Sequence, residues 1–159
     1  MQPLVYIETT IFSFYHDDRT ATPVVAMRQW TREWWDSRRA DYTLVTSIPV
    51  LAELERGNLA HKKQALDLAL QLPAIAAENA AAEIAQVYIR ERIMPNNPVG
   101  DALHLALASL HKCDYLLTWN CRHLANANKF GHIRRINAML GLYIPSLVTP
   151  LELIGSESE

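Results

Sequence analysis

Leu4-Val5-Tyr6-Ile7-Glu8-Thr9-Thr10 decides how the rest of the chain is read. Its four β-favouring residues predict a short buried strand, and the acid that follows falls at the strand's carboxyl end. Thr9 and Thr10 then open a loop. A fully apolar strand that runs into helical pattern, rather than into a tight turn, belongs to a parallel sheet covered on both faces. In such sheets ligands collect outside the carboxyl ends of the strands, which is where Glu8 falls.

Outward from that strand, helices and strands alternate. Thr22-Pro23 reads as an N-cap followed by a proline in the first turn. Val24, Met27, Trp30 and Trp34 then repeat at helical spacing. That stripe fits core or a dimer interface better than a base-stacking platform, and Trp35, off the stripe, covers a neighbouring element. Tyr42 to Thr46 is a second strand, followed by Ser47 as N-cap and Pro49 in the first turn of a short helix. Glu53 lies on the second turn of that helix, which Gly57 ends. Residues 58–70 form another helix, Leu72 to Ile75 an extended link, and Glu78 to Arg92 an Ala-rich helix. After the break Met94-Pro95-Asn96-Asn97-Pro98, Asn97-Pro98 caps a helix running to about Leu110, apolar on nearly every face, with Asp101 in its first turn. Tyr115 to Thr118 is a third strand ending at Trp119-Asn120. A helix over 129–140 and a late strand near Leu147-Val148 complete the pattern. No repeat or linker divides it: residues 1–154 read as one domain and 155–159 as a flexible tail.

The global numbers bound the reading. A chain of 159 residues, 50% hydrophobic and 20% charged, builds one sizeable core. There is no signal-peptide pattern and no apolar run long enough to span a membrane. Cys113 and Cys121 suggest no disulfide framework, so a reduced cytoplasmic location is expected. The net charge of −2 does not advertise a polyanionic partner. Between Tyr115 and Leu151, however, there is no acid, while Arg122, Lys129, Arg134 and Arg135 are all present. Such a segment either places positive potential beside an acidic pocket or is a solvated helix face.

Glu8, Glu53 and Asp101 each border an apolar stretch. An ionised carboxylate in such surroundings costs several kcal/mol unless a partner compensates it. Three of them from distant segments ask for a shared partner, and a divalent cation is the simplest. Hard oxygen ligands around Mg²⁺ or Mn²⁺ suit chemistry on a phosphodiester, whose charge must be neutralised before a nucleophile approaches. His104 follows Asp101 by three and shares its helical face. A hydrogen-bonded core histidine fits it better than a ligand, because hard cations prefer oxygen.

These residues resemble the PIN domain, in particular the ribonuclease toxins of the VapC type. Tyr6-Ile-Glu-Thr-Thr-Ile11 is similar to the family's first-strand motif, an aspartate followed by Thr and Ser, Asn or Thr. Ser47 to Glu53 resembles its second motif, and Gly100-Asp-Ala-Leu-His-Leu-Ala106 the third. Leu116-Leu-Thr-Trp-Asn120 resembles the fourth, a strand ending in Thr-x-Asp or Thr-x-Asn. The resemblance implies a three-layer α/β/α sandwich with a central, mainly parallel sheet. It implies Glu8, Glu53 and Asp101 as metal ligands and catalytic residues, with Asn120 as a fourth catalytic group. Thr10 and Thr118 would be hydroxyls supporting the acidic cluster, and Arg122, Lys129, Arg134 and Arg135 would grip RNA.

The activity implied is a Mg²⁺- or Mn²⁺-dependent endoribonuclease, in the toxin branch a homodimer with a cognate antitoxin. Two positions depart from the family pattern. Glu8 replaces the usual Asp, which moves the carboxylate outward by a methylene, and Asn120 replaces a frequent Asp. The competing expectation is therefore a PIN-like RNA- or protein-binding module that has lost catalysis.

Overall fold

Leu4–Ile7 forms β1, the central strand of a five-stranded sheet in the computed structural model, which describes residues 1–58, 60–96 and 99–155. Val5, Tyr6 and Ile7 are fully buried, so both faces of the strand are covered. Thr43–Ser47 (β2) and Ala74–Ile75 (β3) lie to one side, and Tyr115–Leu117 (β4) and Ser146–Val148 (β5) to the other. Every pairing is parallel in the order β3-β2-β1-β4-β5. Registers such as Tyr6 opposite Val45 and Leu116 align the carboxyl ends of the three middle strands. The chain leaves β1 for β2 on one side and returns to β4 on the other, so the strand order reverses beside β1. A crevice at such a reversal is the natural ligand site of a doubly wound sheet.

Helices cover the sheet in the expected three-layer α/β/α arrangement. They are α1 (Thr9–Tyr15), α2 (Thr22–Arg38), α3 (Ile48–Arg56), α4 (Lys62–Ala69), α5 (Asn79–Arg90), α6 (Gly100–Leu110), α7 (Ala127–Met139) and α8 (Pro150–Leu153). A single 3₁₀ turn at Arg39–Asp41 joins α2 to β2. Helix α1 packs against α2 and α4, and α5 packs along α6. Of the predicted stripe on α2, Trp34 is fully buried, and Trp35, off the stripe, is nearly so. Trp30 instead stacks on Trp119 with ring centroids 6.1 Å apart. No helix among the described residues is long and apolar enough to cross a membrane.

Three expectations change. Thr22 is not the N-cap of α2 but its first helical residue, after Ala21, which makes no side-chain cap bond. The extended link near Ile75 is a strand, because Thr46 N–H reaches Pro73 O at 2.9 Å and opens a parallel ladder. Thr9 and Thr10 do not open a loop but start α1, since the Glu8 carboxylate accepts from Thr10 N–H and caps the helix. A paired β-branched dipeptide reads as non-helical, and the cap overrides it. The cap expected at Asn97-Pro98 lies outside the described residues, as does the tail beyond Gly155. Helix α6 begins at Gly100, with Val99 before it making no side-chain cap bond.

Candidate metal centre

Glu8 enters the site from the end of β1, where its N–H donates to Leu117 O across the reversal at 3.1 Å. Its side chain is 4% exposed. Oε2 accepts from Thr10 N at 3.0 Å, Thr10 Oγ1 at 2.6 Å and Thr118 Oγ1 at 2.8 Å. Both hydroxyls are oriented in turn: Thr10 Oγ1 accepts from Trp119 N–H at 2.8 Å, and Thr118 Oγ1 from Asn120 N–H at 2.9 Å. Each therefore aims its own proton at the carboxylate. Oε1 of Glu8 takes no hydrogen bond from the described residues. Burial pushes the carboxyl's pKa up, and nearby His104 and the threonine donors only partly offset that rise.

Glu53 reaches the same mouth from the second turn of α3, half-buried. Thr9 Oγ1 donates to its Oε2 at 2.5 Å, and His104 Nε2 lies 2.8 Å from its Oε1. Burial alone would raise its pKa, but the hydrogen bond and charge of His104 outweigh burial and lower it. Helix α6 approaches closely because residue 100 has no side chain: a Cβ there would lie 2.5 Å from Glu53 Oε1.

His104 is 1% exposed and bonded at both ring nitrogens, with Nδ1 2.7 Å from the Tyr6 hydroxyl, which lies 2.6 Å from Ser47 Oγ. Burial disfavours its charge, yet Glu53, Glu8 and Asp101 together raise its pKa. Asp101, 9% exposed in the first turn of α6, accepts from Asn120 Nδ2 at 3.0 Å. Asn120 Oδ1 accepts in turn from His123 N–H at 3.0 Å.

All four predicted catalytic residues and both supporting threonines thus gather at one edge of the sheet. Their grouping is finer than the expectation. One donor atom each from Glu8, Glu53 and His104 lies within 4.8 Å of the others. Asp101 stands outside that tight trio, sharing with Glu53 and Arg56 a cleft of about 610 Å³. The donor set fits a divalent cation, because Glu8 is buried with one oxygen free and faces a second carboxylate across the trio.

Of the basic segment, Arg122, Arg134 and Arg135 are exposed and in no ion pair among the described residues. Lys129 is half-buried and donates to Ile93 O at 2.7 Å. Burial lowers its pKa against the opposing pull of Asp101. Sequence reasoning missed Thr9, Tyr6, Gly100 and Arg56. Thr9 sat inside the first motif and was legible as a hydroxyl beside an acid, whereas nothing local marked Tyr6, whose role depends on β1 lying against α6.

Comparison with known proteins adds to this geometry. The model of the family described as PIN domain matches residues 5–128. No curated protein matches the chain. Among solved structures, a toxin-antitoxin complex from Klebsiella pneumoniae is similar at 20% identity and a TM-score of 0.57, covering 92% of this chain and 97% of that one. FitAcB from Neisseria gonorrhoeae is similar at 16% identity and a TM-score of 0.54, with 94% and 99% covered. VapBC2 from Rickettsia felis, bound to a DNA fragment from its promoter, is similar at 15% identity and a TM-score of 0.53, with 92% and 98% covered.

Proposed function

Because the chain belongs to the PIN domain family, we propose that it is a Mg²⁺- or Mn²⁺-dependent endoribonuclease and the toxin of a toxin-antitoxin pair. The observation that carries this reading is a buried Glu8 that brings a carboxylate oxygen within 4.8 Å of donor atoms of Glu53 and His104 at the carboxyl edge of the sheet. A pair of carboxylates held that way, with His104 as the one basic group bonded to either among the described residues, suits a cation. Glu8, Glu53 and Asp101 would hold it. When bound, it supplies charge neutralisation at a phosphoryl oxygen and a water of lowered pKa.

The chain's own residues do the rest. Thr10 and Thr118 orient Glu8 by donating to its Oε2, and Thr9 and His104 hold Glu53. Asn120 steadies Asp101 through one amide N–H, and in this reading its remaining N–H would orient the attacking water. Hydrolysis by that water needs no covalent intermediate on the protein. Arg56, in the cleft beside Glu53 and Asp101, and exposed Arg122 would grip flanking phosphates together with Lys129, Arg134 and Arg135. The solved neighbours are toxin-antitoxin complexes, which supports a cognate antitoxin as partner. A homodimer working in the cytoplasm completes the reading.

The test is cleavage of a mixed RNA pool by the purified chain. Activity with Mn²⁺, abolished by EDTA, restored by Mn²⁺ and reduced at least about 100-fold in Glu53→Gln is expected, the scale of losing a group that acts in the transition state. Cleavage unaffected by EDTA or by the substitution would overturn the proposal. One observation favours the alternative, a metal-independent binding module: Asn120 spends its amide on Asp101 and its oxygen on His123 N–H, leaving little for a ligand. RNA binding that survives EDTA with no cleavage under any metal would select that reading.

A further inference from the structure

The atoms nearest to forming a coordination shell are not all oxygens. Within the trio of Glu8, Glu53 and His104, one donor atom from each lies within 4.8 Å of the other two. The imidazole is fixed in place: Nδ1 is 2.7 Å from the Tyr6 hydroxyl, which is 2.6 Å from Ser47 Oγ, and Ser47 also accepts from Val50 N–H at 3.3 Å. Nε2 therefore faces Glu53 Oε1 at 2.8 Å. At that separation Nε2 and Oε1 either share a proton or both turn a lone pair toward a cation seated beside them, as neighbouring ligands of one ion.

The Tyr6–Ser47 pair serves both cases. The Tyr6 hydroxyl can donate to a bare Nδ1, or accept from Nδ1–H and donate onward to Ser47. The second arrangement is the one that metal-ligating histidines use, because it leaves Nε2 bare and the ring oriented. Glu8 points the same way independently: it is 4% exposed, and its Oε1 has no hydrogen-bond partner among the described residues.

We propose that His104 Nε2 is a direct ligand of the cation, so that the site offers one nitrogen beside its carboxylate oxygens. The inference rests on the metal-dependent reading above and adds the class of metal. Imidazole suits first-row transition metals, whereas Mg²⁺ keeps oxygen donors and its own waters. The site accordingly selects Mn²⁺ and similar dications over Mg²⁺. Asp101, three residues before His104 on α6, remains the oxygen donor on the cleft side.

Pulsed electron paramagnetic resonance on Mn²⁺ bound to the full chain tests this without any RNA. The expected result is ¹⁴N modulation in the wild type, replaced by the ¹⁵N signature on histidine labelling, retained in His123→Gln and lost in His104→Gln. In competition, the Mg²⁺ needed to displace Mn²⁺ should fall about tenfold or more in His104→Gln, the usual scale for disturbing a metal's ligand environment. If the variant fails to fold, a labelled wild type without any histidine coupling still overturns the assignment. Bound Mn²⁺ with no histidine nitrogen coupling, or coupling that persists in His104→Gln, would overturn the assignment and leave the metal-dependent reading standing. No Mn²⁺ binding at all would overturn both.

Discussion

Glu8 is the residue at which folding and function pull apart. Three donors converge on its Oε2, yet burial still raises its pKa above the usual carboxylate range. An acid whose folded pKa is raised contributes stability at low pH and loses it as pH climbs from the unfolded value through the folded one. Ionised Glu8 therefore opposes folding at neutral pH in the absence of a cation. Glu8→Gln should raise the melting temperature in EDTA at pH 7 by about 2–4 °C, the shift expected for roughly 1 kcal/mol in a chain of this size. The new amide can donate to Glu53, while its oxygen keeps the threonine bonds. A melting temperature several degrees lower would show that the charge is already compensated.

Asp17 illustrates the opposite sign. Arg19 bonds it through Nε and Nη2 at 2.6–3.1 Å and holds its carboxyl below the ordinary value, while burial opposes. That contribution is present above the unfolded pKa and is lost as pH falls through the folded one. Asp17→Asn should therefore destabilise the chain at pH 7 and flatten its acid-unfolding curve below about pH 4. Equal stability of variant and wild type at pH 7 would refute the assignment.

At the scale of elements, α6 meets α3 at Gly100. A Cβ there would sit 2.5 Å from Glu53 Oε1 and in no other contact closer than 3.5 Å, so the flexible carboxylate must move while the backbone can stay. Gly100 has no left-handed φ, and alanine is the better helix former by about 1 kcal/mol. Gly100→Ala should hold or raise thermal stability while lowering Mn²⁺ affinity about tenfold or more. Lost stability with unchanged affinity would mean that Glu53 is not held for a ligand.

The same contact explains what could be read from residue order. Four of the five strands, the N-cap at Ser47, the stop at Gly57 and the apolar α6 were legible because each depends on local pattern. The positions of Glu8, Glu53, Asp101 and Asn120 were legible as four short motifs in register. What was not legible arises between elements. Thr9 and Thr10 become helical only because the Glu8 carboxylate turns back onto them. His104 looked like a core histidine, and its burial and two bonded nitrogens fit that description. Its place in the acidic trio follows from β1, α3 and α6 converging, which spacing along one helix does not encode.

Across the whole molecule, a doubly wound sheet brings three carboxylates to one edge, and the acid-free segment after β4 begins at that edge. Arg122 follows Asn120 by two residues and is exposed. If it meets a phosphate, Arg122→Ala should weaken RNA binding uniformly across sequences and reduce the slope of log K against log salt by about one. An unchanged slope in fluorescence anisotropy titrations would assign the segment to plain solvation.

If Glu8, Glu53 and Asp101 hold a divalent cation at the edge of the sheet, the chain should bind one without RNA. Calorimetric titration of Mn²⁺ into the wild type and into Asp101→Asn tests it most directly, since no RNA sequence has to be guessed. One saturable site in the wild type and largely abolished binding in the folded variant are expected. Absence of binding to the folded wild type at millimolar Mn²⁺, or equal binding by both proteins, would contradict it.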